Sequence, residues 1–163
     1  MEEREKNPMA GQEKKSESDE PAVADVGFMR QAIRLAQTAR DRGDTPVGSI
    51  VVRDGRIVGE GIESVRTEKD PAGHAEVKAV QEACRKLNTL DLAGCCLFTT
   101  VEPCLMCSYV IRSAGISRVV IGRAAQHIGG LTSKYPILAA PDIACWRRPP
   151  LVVSGMLGEE CSA

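Results

Sequence analysis

Residues 96–107 read Cys-Leu-Phe-Thr-Thr-Val-Glu-Pro-Cys-Leu-Met-Cys. Cys96 to Val101 is an apolar, β-prone run and predicts a buried strand. Pro103 stands where a proline is tolerated, at the first turn of a helix expected to reach about Ala114. On such a helix Cys104 and Cys107, three apart, share one face about one turn apart. Two thiolates so placed can share one tetrahedral metal ion.

The chain on either side continues the alternation. Downstream, Gly115 caps the helix and Val119-Val120-Ile121 makes the next strand. Residues 122–150 hold Gly and Pro clusters and read as a long loop-rich segment. Leu151-Val152-Val153 predicts a last short strand, followed by a stub of helix. Upstream, Asp25 is expected to N-cap a helix running to about Arg42. Pro46 to Val52 reads as a strand, Asp54-Gly55 as a hairpin turn, and Arg56 to Glu60 as the returning strand. Asp70-Pro71-Ala72-Gly73 is a turn feeding a helix that begins near His74, with Val77, Val80, Cys84 and Leu87 on its core face. Strands alternating with helices imply a layered α/β domain with a hairpin at one edge.

Composition bounds the function. The chain has 163 residues, the size of one domain, and is 43% apolar. Its net charge of −1 advertises no polyanionic partner, and no apolar run is long enough to span a membrane. Residues 1–24 are acid-rich and polar, expected as a disordered tail ahead of a domain over 25–163, and carry no secretion signal. Seven cysteines, an odd number, suit reduced thiols in the cytoplasm, where clustered Cys reads as metal-binding or catalytic. There are two histidines, His74 and His127, so any histidine ligand is one of these.

His74-Ala75-Glu76 and Pro103-Cys104-Leu105-Met106-Cys107 each open a helix after a strand or turn, so both helix starts can lie at one end of the sheet. One His and two Cys make three ligands, and a catalytic zinc keeps its fourth position for water. Taken singly, His74 fits a hydrogen-bonded surface residue, and Cys-x-x-Cys fits a redox pair or a structural zinc site. A redox pair has no use for His74-Ala75-Glu76. A closed structural site wants a fourth ligand, and Cys84, Cys95, Cys96, Cys145 and Cys161 show no matching paired spacing. The combination favours catalytic zinc.

With these motifs, and with Pro46-Val47-Gly48, Gly59-Glu60-Gly61 and Asp70-Pro71, the sequence resembles the cytidine-deaminase-like superfamily of zinc hydrolases. It is closest to the branch holding cytosine deaminases, guanine deaminases and bacterial tRNA adenosine deaminases. The likeness is dense from Gly27 to Gly122 and thins past Ile121. It implies a three-layer α/β/α domain with a mixed five-stranded sheet, zinc on His74, Cys104 and Cys107, and Glu76 as proton shuttle. It also implies a homodimer, for which Leu105, Met106, Tyr109, Val110 and Ile111 make an unusually wide apolar set. Ala75, Glu63, His127 and Trp146 are its candidate substrate-binding residues; Glu63 stands where many members place Asn, and Trp146 suits a lid or interface anchor.

Three departures bear on the substrate. An Asp that commonly follows the fourth strand in the tRNA enzymes is replaced by Ala124 and Ala125; the long basic last helix of that branch is missing; and aromatics make up only 3% of the chain. The expected function is therefore hydrolytic deamination of a small amino-substituted heterocycle: a free base, an amino-triazine, a pterin or a small nucleoside. The alternative with the same chemistry is a tRNA adenosine deaminase, which the departures weigh against and leave open. The alternative of another class is a non-catalytic, zinc-stabilised partner subunit, against which Glu76 counts.

Overall fold

The computed structural model of the protein describes residues 23–144 and 146–162. The expected tail before residue 23, and Cys145, lie outside the described residues. Nine named helices and strands follow in chain order: α1 (Val23–Asp41), β1 (Gly48–Arg53), β2 (Arg56–Ile62), α2 (Val65–Glu68), α3 (Ala75–Leu87), β3 (Cys96–Val101), α4 (Leu105–Ser113), β4 (Arg118–Arg123) and β5 (Leu151–Ser154), with a 3-10 turn at Glu160–Ser162. No helix among them is long and apolar enough to cross a membrane.

The sheet order is β2-β1-β3-β4-β5. β1 is antiparallel to both β2 and β3, whereas β3, β4 and β5 run parallel. The sheet is thus mixed and five-stranded, as expected. Its β1–β2 edge closes through Asp54 and Gly55, both at positive φ (50° and 71°), which gives the loop the twist a tight hairpin needs.

Alternation along the strands builds the three layers. Ile50, Val52, Phe98 and Val120 face α1 and pack on Met29, Ala32 and Ile33. Val51, Leu97, Val119 and Ile121 face the other way, onto Ala79, Val80 and Ala83 of α3 and Ile111 of α4. A one-residue slip would expose both sets, so the register is fixed. β2 also meets α3 backbone to backbone. A Cβ at Gly59 would collide with the Ala79 carbonyl, and one at Gly61 with the Ala75 carbonyl.

Two expected helix starts shift. α1 begins at Val23, so Asp25 does not cap it but lies buried in the first turn. Its carboxylate instead accepts two bonds from Arg118, at 2.6 and 3.1 Å, tying α1 to β4. α4 begins at Leu105, two residues later than Pro103 would allow, because the Cys104 backbone is extended (φ −67°, ψ 178°). Cys104 makes a lone β-bridge to Gly129, and the Pro103 carbonyl accepts the Gly130 N–H at 2.8 Å. The short α2 was not anticipated. Asp44, far back in the chain, accepts from the Arg66 and Thr67 N–H groups at 2.8 and 3.3 Å and holds it.

Candidate active site

Because β1 runs against both neighbours, its start lies beside the ends of β2 and β3: Gly48 pairs with Ile62, and Ser49 with Thr99. The segments leaving β2, β3 and β4 and the first turn of α3 converge there on a cavity of about 400 Å³. Its lining includes Glu63, His74, Glu76, Glu102, Cys104 and His127.

His74 sits at the N-cap of α3, and Cys104 at the N-cap of α4 with Cys107 one turn on. His74 Nδ1 lies 3.7 Å from Cys104 Sγ and 3.5 Å from Cys107 Sγ, and the sulfurs are 3.6 Å apart. Zn–S bonds of ~2.3 Å and a Zn–N bond of ~2.0 Å at tetrahedral angles separate two sulfurs by roughly 3.8 Å, and sulfur from nitrogen by roughly 3.5 Å. The three donors therefore already stand where one tetrahedral ion would hold them, and two thiols with an imidazole suit zinc by donor chemistry. Their shared hydrogen bond separates the thiols: Cys104 is lowered to about 5, while Cys107 is pushed up by that bond and by burial.

Glu76 is on the first turn of α3 and only 4% exposed. Burial, reinforced by the charges of Cys104 and Glu63, raises its carboxyl to about 7. Thr99 Oγ1 lies 3.2 Å from Glu76 Oε1 and is itself fixed by the Ser49 hydroxyl at 2.8 Å. Cys107 Sγ lies 3.4 Å from Oε2. The carboxylate is oriented from both sides and lies beside the three donors.

Of the expected substrate residues, the structure brings Glu63 and His127 into the cavity lining. Ala75 is fully buried, and its N–H donates to Glu63 Oε2 at 3.2 Å. Burial raises the Glu63 carboxyl, against the opposing pull of His74. Trp146 is placed elsewhere. It packs edge-on to Tyr109, ring centres 5.0 Å apart, with the Arg112 guanidinium 5.2 Å from its centre, on the outer side of α4. Its aromatic contacts, not the cavity, determine its position.

Sequence reasoning missed Glu102. Its carboxylate accepts the N–H groups of Ala125, Leu131 and Thr132 at 3.1, 2.9 and 2.7 Å, and the Thr132 hydroxyl at 2.8 Å. Burial opposes ionisation, yet these bonds together hold the carboxyl below its usual value. Glu102 so ties down the segment that carries His127. The only signal was its place between the β3 strand and Pro103.

The profile of the cytidine and deoxycytidylate deaminase zinc-binding region matches residues 23–123. A tRNA-specific adenosine deaminase of Aquifex aeolicus is 42% identical over 116 residues, covering 71% of this chain and 77% of the relative. Among solved structures, a chain from work on A-to-I editing by tRNA:A34 deaminases at the wobble position of transfer RNA superposes with a TM-score of 0.77 at 31% identity, covering 83% of this chain and 96% of the other. Guanine deaminase from Bacillus subtilis superposes with a TM-score of 0.58 at 37% identity, covering 60% and 63%. With more than half of its length inside that zinc-binding region, the chain belongs to the zinc-dependent deaminases, a family of hydrolytic enzymes.

Proposed function

We propose that His74, Cys104 and Cys107 hold the zinc ion, that Glu76 moves the protons, and that the substrate is adenosine presented by tRNA. One observation carries the substrate: the likeness to tRNA-specific adenosine deaminases extends over most of both chains. It favours what the sequence alone offered as the alternative, over the small heterocycle that was its main expectation. Zinc in this set of ligands supplies Lewis-acid activation of water. Glu76, its carboxyl raised to about 7, takes one proton from the attacking water and passes it to a ring nitrogen, then takes the second proton of that water's oxygen and gives it to the amine, which departs as ammonia while the carbon keeps the oxygen as a carbonyl. Thr99 keeps that carboxylate in line. His127 contacts the incoming base or its carrier from the cavity mouth. The same reading places the protein in the cytoplasm as a homodimer.

A second reading, a small free heterocycle, is favoured by one feature. Glu63 puts a carboxylate in the cavity wall and occupies the Ala75 N–H. The test is direct. The zinc-loaded protein is offered tRNA, scored for inosine across a salt series, and a panel of free amino-purines, pterins and amino-triazines, scored for ammonia. The tRNA reading expects inosine formation that falls steeply with salt, since phosphate contacts release counterions. Ammonia from free rings with tRNA untouched overturns it and establishes the second reading. A zinc protein inert on every substrate returns the partner-subunit alternative.

A further inference from the structure

Two fully buried hydroxyls face each other across the centre of the sheet. Ser49 on β1 and Thr99 on β3 are cross-strand partners, and neither is exposed to solvent. Each stands two residues from a core residue of its own strand, Val51 and Leu97, so alternation turns both toward the α3 face. An apolar pair would fill such a place at less cost, since a buried hydroxyl must find partners. The next residue, Thr100, lies on the opposite face and directs its hydroxyl to the backbone, accepting the Gly48 N–H at 3.2 Å. Ser49 does not do so. Among the described residues its hydroxyl has one partner, Thr99 Oγ1 at 2.8 Å. Thr99 Oγ1 in turn lies 3.2 Å from Glu76 Oε1 and 3.1 Å from the Val101 carbonyl oxygen.

A hydroxyl has one hydrogen to give and two lone pairs. A carboxylate oxygen and a carbonyl only accept, so the Thr99 hydrogen goes to them and the hydrogen between the two hydroxyls is that of Ser49. The chain from Ser49 through Thr99 therefore donates in one direction and ends on Oε1 of Glu76. The other oxygen, Oε2, is turned to the metal donors, 3.4 Å from Cys107 Sγ. As a metal ligand Cys107 is a thiolate with no hydrogen to give, which leaves Oε2 free. We propose that Ser49 and Thr99 are positioning residues that divide the two oxygens of Glu76: Oε1 is tethered as a permanent acceptor, and Oε2 alone carries the protons of the reaction. The inference rests on Glu76 as the proton shuttle and holds for any ring that it serves. A hydrogen bond already accepted by Oε1 makes that oxygen the weaker base. Each proton taken from the attacking water arrives at Oε2 and leaves from Oε2, first to the ring nitrogen and then to the amine. Thr99 keeps its own hydrogen throughout, and the carboxylate need not turn between transfers.

The test replaces both hydroxyls at once, because Thr99→Val alone would leave Ser49 without a partner. Ser49→Ala combined with Thr99→Val keeps the shape of the core, so melting temperature and zinc content should match the wild type. Turnover is read as inosine from an adenosine-containing anticodon stem-loop and as ammonia from the free-ring panel. On whichever substrate the wild type accepts, kcat should fall about tenfold or more while KM stays within about twofold, as for a proton carrier no longer held in line. Thr99→Ser, with Ser49 kept, restores the hydroxyl and should recover most of that loss. The infrared carboxylate band of Glu76, identified as the band that Glu76→Gln removes, should shift in the double variant of the zinc-loaded protein with no substrate present. A double variant whose kcat stays within about twofold of wild type, or a Glu76 band that does not move, overturns the proposal; if no substrate is turned over, the band alone decides. A Glu76→Gln protein that retains turnover within about tenfold overturns the shuttle itself, which is a different result from an inert Glu76→Gln beside a fully active double variant.

Discussion

A carboxylate that ordinarily ionises at 4.5 is held near 7 at Glu76 because water is kept from it and other acids face it. Glu76→Gln keeps the size of the side chain and its contact with Thr99 but cannot carry a proton. Loss of a general acid–base group costs about 10²–10⁴-fold in turnover. The variant should bind one zinc per chain with an unchanged melting profile, and a loss under tenfold would point to another base. Cys104→Ala removes a donor from an arrangement that already fits the ion, so both metal content and activity should disappear. Metal analysis and a chelator-insensitive melting curve would register this. That His74, Cys104 and Cys107 would meet was legible from two short motifs and their spacing, whereas the part given to Glu76 came from the resemblance. Glu102 was not legible, since its partners Ala125, Leu131 and Thr132 lie more than twenty positions away and only folding brings them together. Trp146 was offered both as a pocket residue and as a lid or interface anchor, and it packs on Tyr109 away from the cavity, because an aromatic in a loop carries no sign of which face it will pack on.

α4 holds two kinds of surface. Ile111 is fully buried, whereas Met106 is 36% and Tyr109 56% exposed, so the five apolar residues read as one wide set divide between core and outer face. The outer part is the surface a second copy would cover. Light scattering at micromolar concentration should give twice the monomer mass, and Tyr109→Asp should halve it. Arg112 on the same helix is 3% exposed and acts as a clasp. Its Nη1 donates to the carbonyls of Ile137 and Ala140 at 2.7 and 2.9 Å, and Nη2 to that of Arg147 at 3.2 Å. Arg112→Ala strands those carbonyls and should destabilise the fold by about 2–4 kcal/mol, with hydrogen exchange rising first over residues 137–147. The loop-rich reading of 122–150 holds among the described residues past Arg123, where β4 ends, but could not show that a buried cation organises the segment. The elements themselves were legible, because alternation and helical spacing are local. Their first residues were not, since Asp25 answers to Arg118 and Cys104 to Gly129.

At the scale of the whole molecule, the sheet order comes from pairings between distant segments. β4 and β5 lie side by side although the whole loop-rich segment separates them. No local pattern in the sequence encodes that order, and the resemblance supplied only a mixed five-stranded sheet. The joint between β2 and α3, where Gly59 and Gly61 leave no side chain between strand and helix, has a consequence of its own. A side-chain interface is a cushion: a neighbour can rotate and absorb an added methyl group. Backbone against backbone has no such compliance, so the sheet serves α3 as a rigid datum from which the positions of His74 and Glu76 are set. Gly61→Ala should therefore read out as an instrument misaligned rather than a scaffold broken. Circular dichroism should still report the fold, while zinc affinity falls and the residual activity becomes insensitive to Glu76→Gln. Mutational tolerance in this protein is then a matter of stiffness: two residues without side chains, lying outside the cavity lining, limit how accurately the catalytic groups can be held.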